Sequence, residues 1–267
     1  MSFRQMLRSV GYLAFFLPLA VAVGYFVFGG PQALDSISES YFTVMRDVFV
    51  GVLCMVAFFL IAYKGYDDWE DWTFNLCAVL ALVIAWFSMN TRMGPPAAGS
   101  SAVPGCIVTK SGGEAAPSCT YDITMDPACL KDDRFDIYVN NRRMLMHETW
   151  FGYVHLGCAA VLFILLGGIS LFLFTRTAKD RGIGEEPTPE KRKRNVLYRI
   201  CGSVIWGALL GYFVFSGIAF IAPDNRTVVW FGNWILYAVE WVCLWAFGLA
   251  WMVKGGFVLR DPGEPAG

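Results

Sequence analysis

The sequence predicts an all-α fold, a polytopic membrane helix bundle of six transmembrane helices with the N- and C-termini cytoplasmic. Three observations predict it. Of 267 residues, 56% are hydrophobic and only 16% charged, where a soluble domain carries about 25% charged residues. Six segments approach the roughly 20 apolar residues that a helix rising about 1.5 Å per residue needs to cross about 30 Å of hydrocarbon. The basic residues of the short connections collect on one side.

The first span, 9–29, follows Arg4 and Arg8. Its apolar run through Phe28 is long for a signal peptide and ends in Gly29-Gly30-Pro31 rather than a small-x-small cleavage site, so it is read as a retained helix. The connection from Asp35 to Thr43 is rich in hydroxyls and carboxylates and fits either a binding loop or a helix N-cap region. Spans 47–64 and 72–90 follow. Residues 91–148 form an extracytoplasmic insertion that opens on the flexible stretch Gly94-Pro95-Pro96-Ala97-Ala98-Gly99, and its later half, Tyr121 to Met146, is expected to cap the bundle. Span four, 150–174, leads into a cytoplasmic basic loop, 176–196, with Pro187, Pro189 and the run Lys191-Arg192-Lys193-Arg194, a topogenic and headgroup-binding signal. Span five, 197–221, carries Ser203, Gly207 and Gly211 at four-residue spacing, which predicts tight packing inside the bundle. Span six covers 229–253, and the whole chain, 1–267, reads as one membrane domain.

Placing the N-terminus inside puts 13 of the 21 basic residues on the cytoplasmic side, as expected of the bacterial inner membrane. Five of the eight cysteines lie in apolar helices, where a thiol acts as a small hydrophobe. Cys106, Cys119 and Cys129 lie in the insertion, where an oxidising compartment lets two of them bridge; the favoured pair is Cys106 with Cys119. A net charge of −1 and two histidines give no field for nucleic acid, so membrane lipids are the expected partners. The insertion is the surface left for a protein partner.

Ionisable groups in hydrocarbon are costly, so each is a default functional candidate. His155 in span four and Glu240 in span six stand out. Glu148, Gly152, His155 and Ala159 keep helical spacing on one stripe, Asn233, Tyr237 and Glu240 on a second, and Asp47, Gly51 and Cys54 on a third. With Ser36, Ser38, Tyr41 and Arg46 of the preceding connection, these stripes outline a polar cavity opening outward. Taken singly, His155 fits a buried histidine bonded to a carbonyl, and Glu240 a neutral acid bonded across helices. No phosphate loop or zinc-ribbon spacing occurs, and His147 and His155 are eight residues apart rather than four. The triplet Asn225-Arg226-Thr227 matches a glycosylation sequon by chance.

The stretches Ser36-Ile37-Ser38 to Tyr41, Arg46-Asp47-Val48-Phe49-Val50-Gly51 and Tyr63-Lys64-Gly65-Tyr66-Asp67 resemble a family of uncharacterised bacterial six-helix integral membrane proteins, as do Val154-His155, Ser170 to Thr175, and Ala246-Phe247-Gly248 with Lys254-Gly255. The resemblance implies class and topology but no chemistry, and it does not extend over the insertion. A more distant likeness is to the alkaline ceramidase and adiponectin-receptor superfamily, hydrolases whose zinc is held by three histidines. Two histidines in the chain exclude that set, and zinc on His155 with Asp47 and Glu240 is the arrangement left.

The leading expectation is an integral membrane protein whose cavity binds a lipid headgroup or small molecule, in envelope maintenance or transport, with no cofactor. The alternatives are a metal-assisted intramembrane lipid hydrolase and a proton-coupled carrier working through Glu240.

Overall fold

The computed structural model describes residues 2–28, 34, 36–87, 106–110, 119–120, 135–139, 142–145, 150–176, 186–222 and 225–259. Helix α1, Phe3–Val27, starts ahead of its apolar run because Ser2 and Gln5 close a capping box, their backbone N–H groups donating to each other's side-chain oxygens at 2.8 and 3.2 Å. A 3-10 helix, Ile37–Phe42, precedes α2 (Arg46–Ala62), and a short turn leads to α3 (Asp68–Trp86). Helix α4 (Trp150–Gly168) runs on through a π-helical turn, Ile169–Leu173, closed by Phe174 N–H donating to the Ile169 carbonyl at 2.9 Å.

The last two helices are longer than the sequence pattern suggested. In α5, Pro189–Ile221, Thr188 accepts from Lys191 N–H at 3.1 Å and Pro189 occupies the first turn, where a missing N–H is harmless. The basic run Lys191 to Arg194, read above as loop, is therefore helical. Helix α6, Arg226–Lys254, is capped by Asn225, whose side chain accepts from Thr227 and Val228 N–H at 3.0 and 3.3 Å, so the sequon residues serve as a helix start.

Consecutive helices pack against one another and α6 returns against α1, so the six form a closed ring. Four of them, α1, α4 with its π turn, α5 and α6, are long and apolar enough to cross a membrane. Helix α2 has 17 residues and α3 opens on Asp68, Glu70 and Asp71. The all-α expectation holds for the bundle only. In the long connection β1 (Cys106–Lys110), β2 (Cys119–Thr120), β3 (Phe135–Val139) and β4 (Arg142–Leu145) make an antiparallel sheet of order β2-β1-β3-β4. Its register sets Cys119 opposite Val108. The side chains of Cys106 and Cys119, and all of Cys129, lie outside the described residues, as does any capping contact of the insertion.

Two stripes face opposite to expectation. Ser203, Gly207 and Gly211 are exposed, and a Cβ added at either glycine would meet nothing within 4 Å. The buried side of α5 is instead Tyr198, Cys201, Gly202, Ile205 and Leu209. Gly202 makes the close approach, since a methyl group added there would lie 2.7 Å from the Gly167 carbonyl oxygen. On α2, Asp47, Gly51 and Cys54 face outward while Phe49, Val56 and Leu60 are buried. On both helices that outer side also carries large apolar residues, Phe58 of α2 and Leu210 and Phe213 of α5 among them.

At the end of the ring bearing the basic residues, Arg176 ties the end of α4 to the start of α3. Its guanidinium donates to Asp67 at 2.6 Å and to Glu70 at 2.8 Å. Glu70 is 1% exposed and also accepts from Tyr66 N–H at 2.9 Å. Beside it, the Gly65 N–H and then the Lys64 ammonium hold Asp71 below the usual carboxylate range. Lys191 donates to the Phe174 carbonyl at 2.8 Å and Arg194 to the Leu259 carbonyl at 2.7 Å, stitching α5 onto the same end.

Candidate functional site

Inside the ring lies a partly open chamber. Every helix but α5 lines it, through side chains such as Leu17, Phe49, Val56, Ile84, Leu162 and Leu244. Among the described residues that line it, Ser38 and Glu240 are the polar ones. The helical period explains the walls: Ala159, Leu162 and Leu166 form one stripe of α4, and Glu240, Leu244 and Phe247 one stripe of α6. One turn further on, Trp251 closes the basic end at the centre of an aromatic cluster, with ring centroids 5.5 to 5.9 Å from Tyr63, Phe74, Phe174 and Phe247.

The opposite end is formed by the 3-10 helix. Its residues do not stand out in solvent: Ser36, Ile37, Ser38, Glu39, Ser40 and Tyr41 are all buried. A helix start buried this way needs acceptors for its free N–H groups. Ser36 stands at the N-cap without making the usual side-chain cap bond. Glu240, at the middle of α6, takes that role from across the ring. One carboxylate oxygen accepts a hydrogen bond from Ile37 N–H, and the other accepts from the hydroxyls of Ser36 and Ser38, both at 3.3 Å. Thr43 closes the other end, its hydroxyl donating to the Ser40 carbonyl at 2.9 Å and accepting from Met45 N–H at 3.1 Å.

His155 is 2% exposed and lies one turn beyond Ala159 on the chamber-facing stripe of α4. Its Nδ1 lies 2.7 Å from the carbonyl of Phe87, the residue ending α3. A carbonyl only accepts, so Nδ1 carries the proton of the neutral ring and Nε2 keeps a bare lone pair. Among the described residues Nε2 has no partner.

The structure groups the polar residues singled out in the sequence differently. Ser36, Ser38 and Glu240 come together. His155 and Glu240 do not pair, each being held by its own partners. Tyr41 and Arg46 pair with each other, the guanidinium 4.8 Å from the ring centroid and donating to the hydroxyl at 3.3 Å. Tyr237 is half-buried against Trp241, with centroids 5.7 Å apart, and the Asn233 side chain and Glu148 lie outside the described residues. Asp47 faces out. Among the described residues no three His, Cys, Asp or Glu side chains gather as a metal-ligand set, so zinc on Asp47, His155 and Glu240 has no geometry behind it.

The sequence reading missed the apolar walls and the Glu70 cluster. Walls built of Leu, Phe and Val look like any packed core until the helices are arranged around a void. Glu70 carried a signal, an acid among Asp67, Asp68 and Asp71 at a helix start with a lone arginine, Arg176, ending another span at the same side. Searches against family models, curated proteins and solved structures gave no match to this chain.

Proposed function

We propose that the chain is a multi-pass protein of the bacterial inner membrane, with six spans and cytoplasmic termini, which holds the hydrocarbon body of a lipid or other small amphiphile in its central chamber. The polar end of that molecule meets Ser38 and Glu240. One observation carries the reading: an apolar chamber lined by five helices, whose polar lining among the described residues lies at one end. Sites for small molecules have this composition, mostly apolar walls with few placed polar groups. The expected cavity thus becomes an apolar one with a polar rim, and the hydrolase reading has no observation of its own in favour.

The test uses purified protein and the neutral fluorophore N-phenyl-1-naphthylamine, whose emission rises in apolar surroundings. Ala159→Phe places a ring in the chamber at a half-buried wall position. It is expected to weaken dye binding about tenfold or more, that is by about 1.4 kcal/mol. Undiminished binding to this variant would remove the chamber from the account.

A further inference from the structure

We infer that the molecule held in the chamber is a cation, an amine or quaternary ammonium with an apolar body, whose charge is set against Glu240. The inference rests on the chamber being a ligand site and adds the chemical class of the ligand. Both oxygens of Glu240 are already acceptors, one for Ile37 N–H and the other for the Ser36 and Ser38 hydroxyls. A backbone N–H cannot reverse its role, so the oxygen facing Ile37 stays an acceptor, while the Ser36 and Ser38 hydroxyls can donate to the other oxygen of a carboxylate or accept from an acid; the cradle holds either form, and a cation beside it selects the carboxylate. All three donors are neutral, so they solvate the charge without cancelling it.

Among the described residues Glu240 forms no ion pair. Arg46 lies over the Tyr41 ring and His155 is bonded to the Phe87 carbonyl. A carboxylate in an otherwise apolar chamber attracts a counter-charge far more strongly than one in water, because low dielectric leaves the interaction unscreened. A cationic head satisfies Glu240 while its hydrocarbon lies along Leu162, Leu166 and Leu244. An anion meets repulsion there, and a neutral head leaves the charge uncompensated.

Three probes of equal chain length separate these cases: decyltrimethylammonium, decanol and decanoate, each measured by equilibrium dialysis against the full chain in zwitterionic nanodiscs, with empty nanodiscs subtracted. The ammonium is expected to bind about tenfold or more tighter than decanol, with decanoate weakest. Glu240→Gln is expected to abolish the preference, the ammonium then binding no tighter than decanol. Decanol binding as tightly as the ammonium, or an ammonium preference that survives Glu240→Gln, overturns the inference and leaves the chamber standing. Binding of none of the three above empty nanodiscs overturns both readings. Should Glu240→Gln fail to fold, the ranking of the three probes on the unaltered protein decides alone.

Discussion

Glu240 does two things at once: it faces the chamber and it terminates a helix that belongs to a segment 203 residues away in the chain. The structural part has a measurable consequence. Glu240→Leu removes the acceptor of three buried donors and should lower stability by about 1–3 kcal/mol, the usual penalty for stranding buried polar groups. Glu240→Gln keeps one carbonyl oxygen and should lose about 1 kcal/mol or less. Thermal unfolding of the two variants in one detergent checks the order, and equal melting temperatures would mean that the cap contributes nothing. The position of Glu240 and His155 along their helices was legible in the sequence, since it is counted in residues. Their partners were not, because a stripe gives a direction around its own helix and no information on which neighbour stands there. So Ser36 and Glu240 were each singled out, and only the folded ring joins them.

Helices α1 and α6 cross where two glycines let their backbones meet. A methyl group added at Gly248 would lie 2.8 Å from the Gly11 carbonyl oxygen and 2.8 Å from Phe15 N, and one at Gly11 would lie 2.8 Å from the Gly248 carbonyl oxygen. Backbone atoms cannot swing aside, so Gly248→Ala should destabilise by about 1–3 kcal/mol, the range for overpacking. Gly207→Ala on α5 meets nothing and should be neutral or stabilising, as alanine is the better helix former by about 1 kcal/mol. Thermal melts of the two variants, run side by side, check the contrast, and a Gly248→Ala protein as stable as the parent would rule out the crossing. The same comparison explains an expectation that failed. Four-residue spacing of small residues marks a surface on which close approach is allowed, and Ser203, Gly207 and Gly211 have that spacing without a neighbour. The existence and order of the six helices were readable from apolar length. Their starts were misplaced wherever a polar cap extended the helix beyond the apolar run, as at Ser2 and Thr188.

For the whole molecule the open question is whether α2 and α3 cross the membrane as a pair, since composition alone marks four helices as spans. Labels on Thr109 and Glu186 do not decide it. A crossing hairpin and a non-crossing one return the chain to the same side, so those two positions fall on opposite sides in either topology. The decisive position is the turn between α2 and α3. Arg176, at the end of α4, bonds Asp67 and Glu70, so that turn shares its end of the ring with the start of α5. The side chain of Lys64 is 79% exposed there, and its surface ion pair with Asp71 contributes little, so Lys64→Cys is a mild change. In a cysteine-free background, an impermeant thiol reagent should label Thr109→Cys in intact cells and reach Lys64→Cys and Glu186→Cys only after permeabilisation. That pattern requires α2 and α3 each to traverse the bilayer, 17 and 19 residues at about 1.5 Å apiece being enough for a thin or locally compressed core. Labelling of Lys64→Cys together with Thr109→Cys would instead leave the hairpin on the outer side, and the chamber would lose two of its five walls from the membrane.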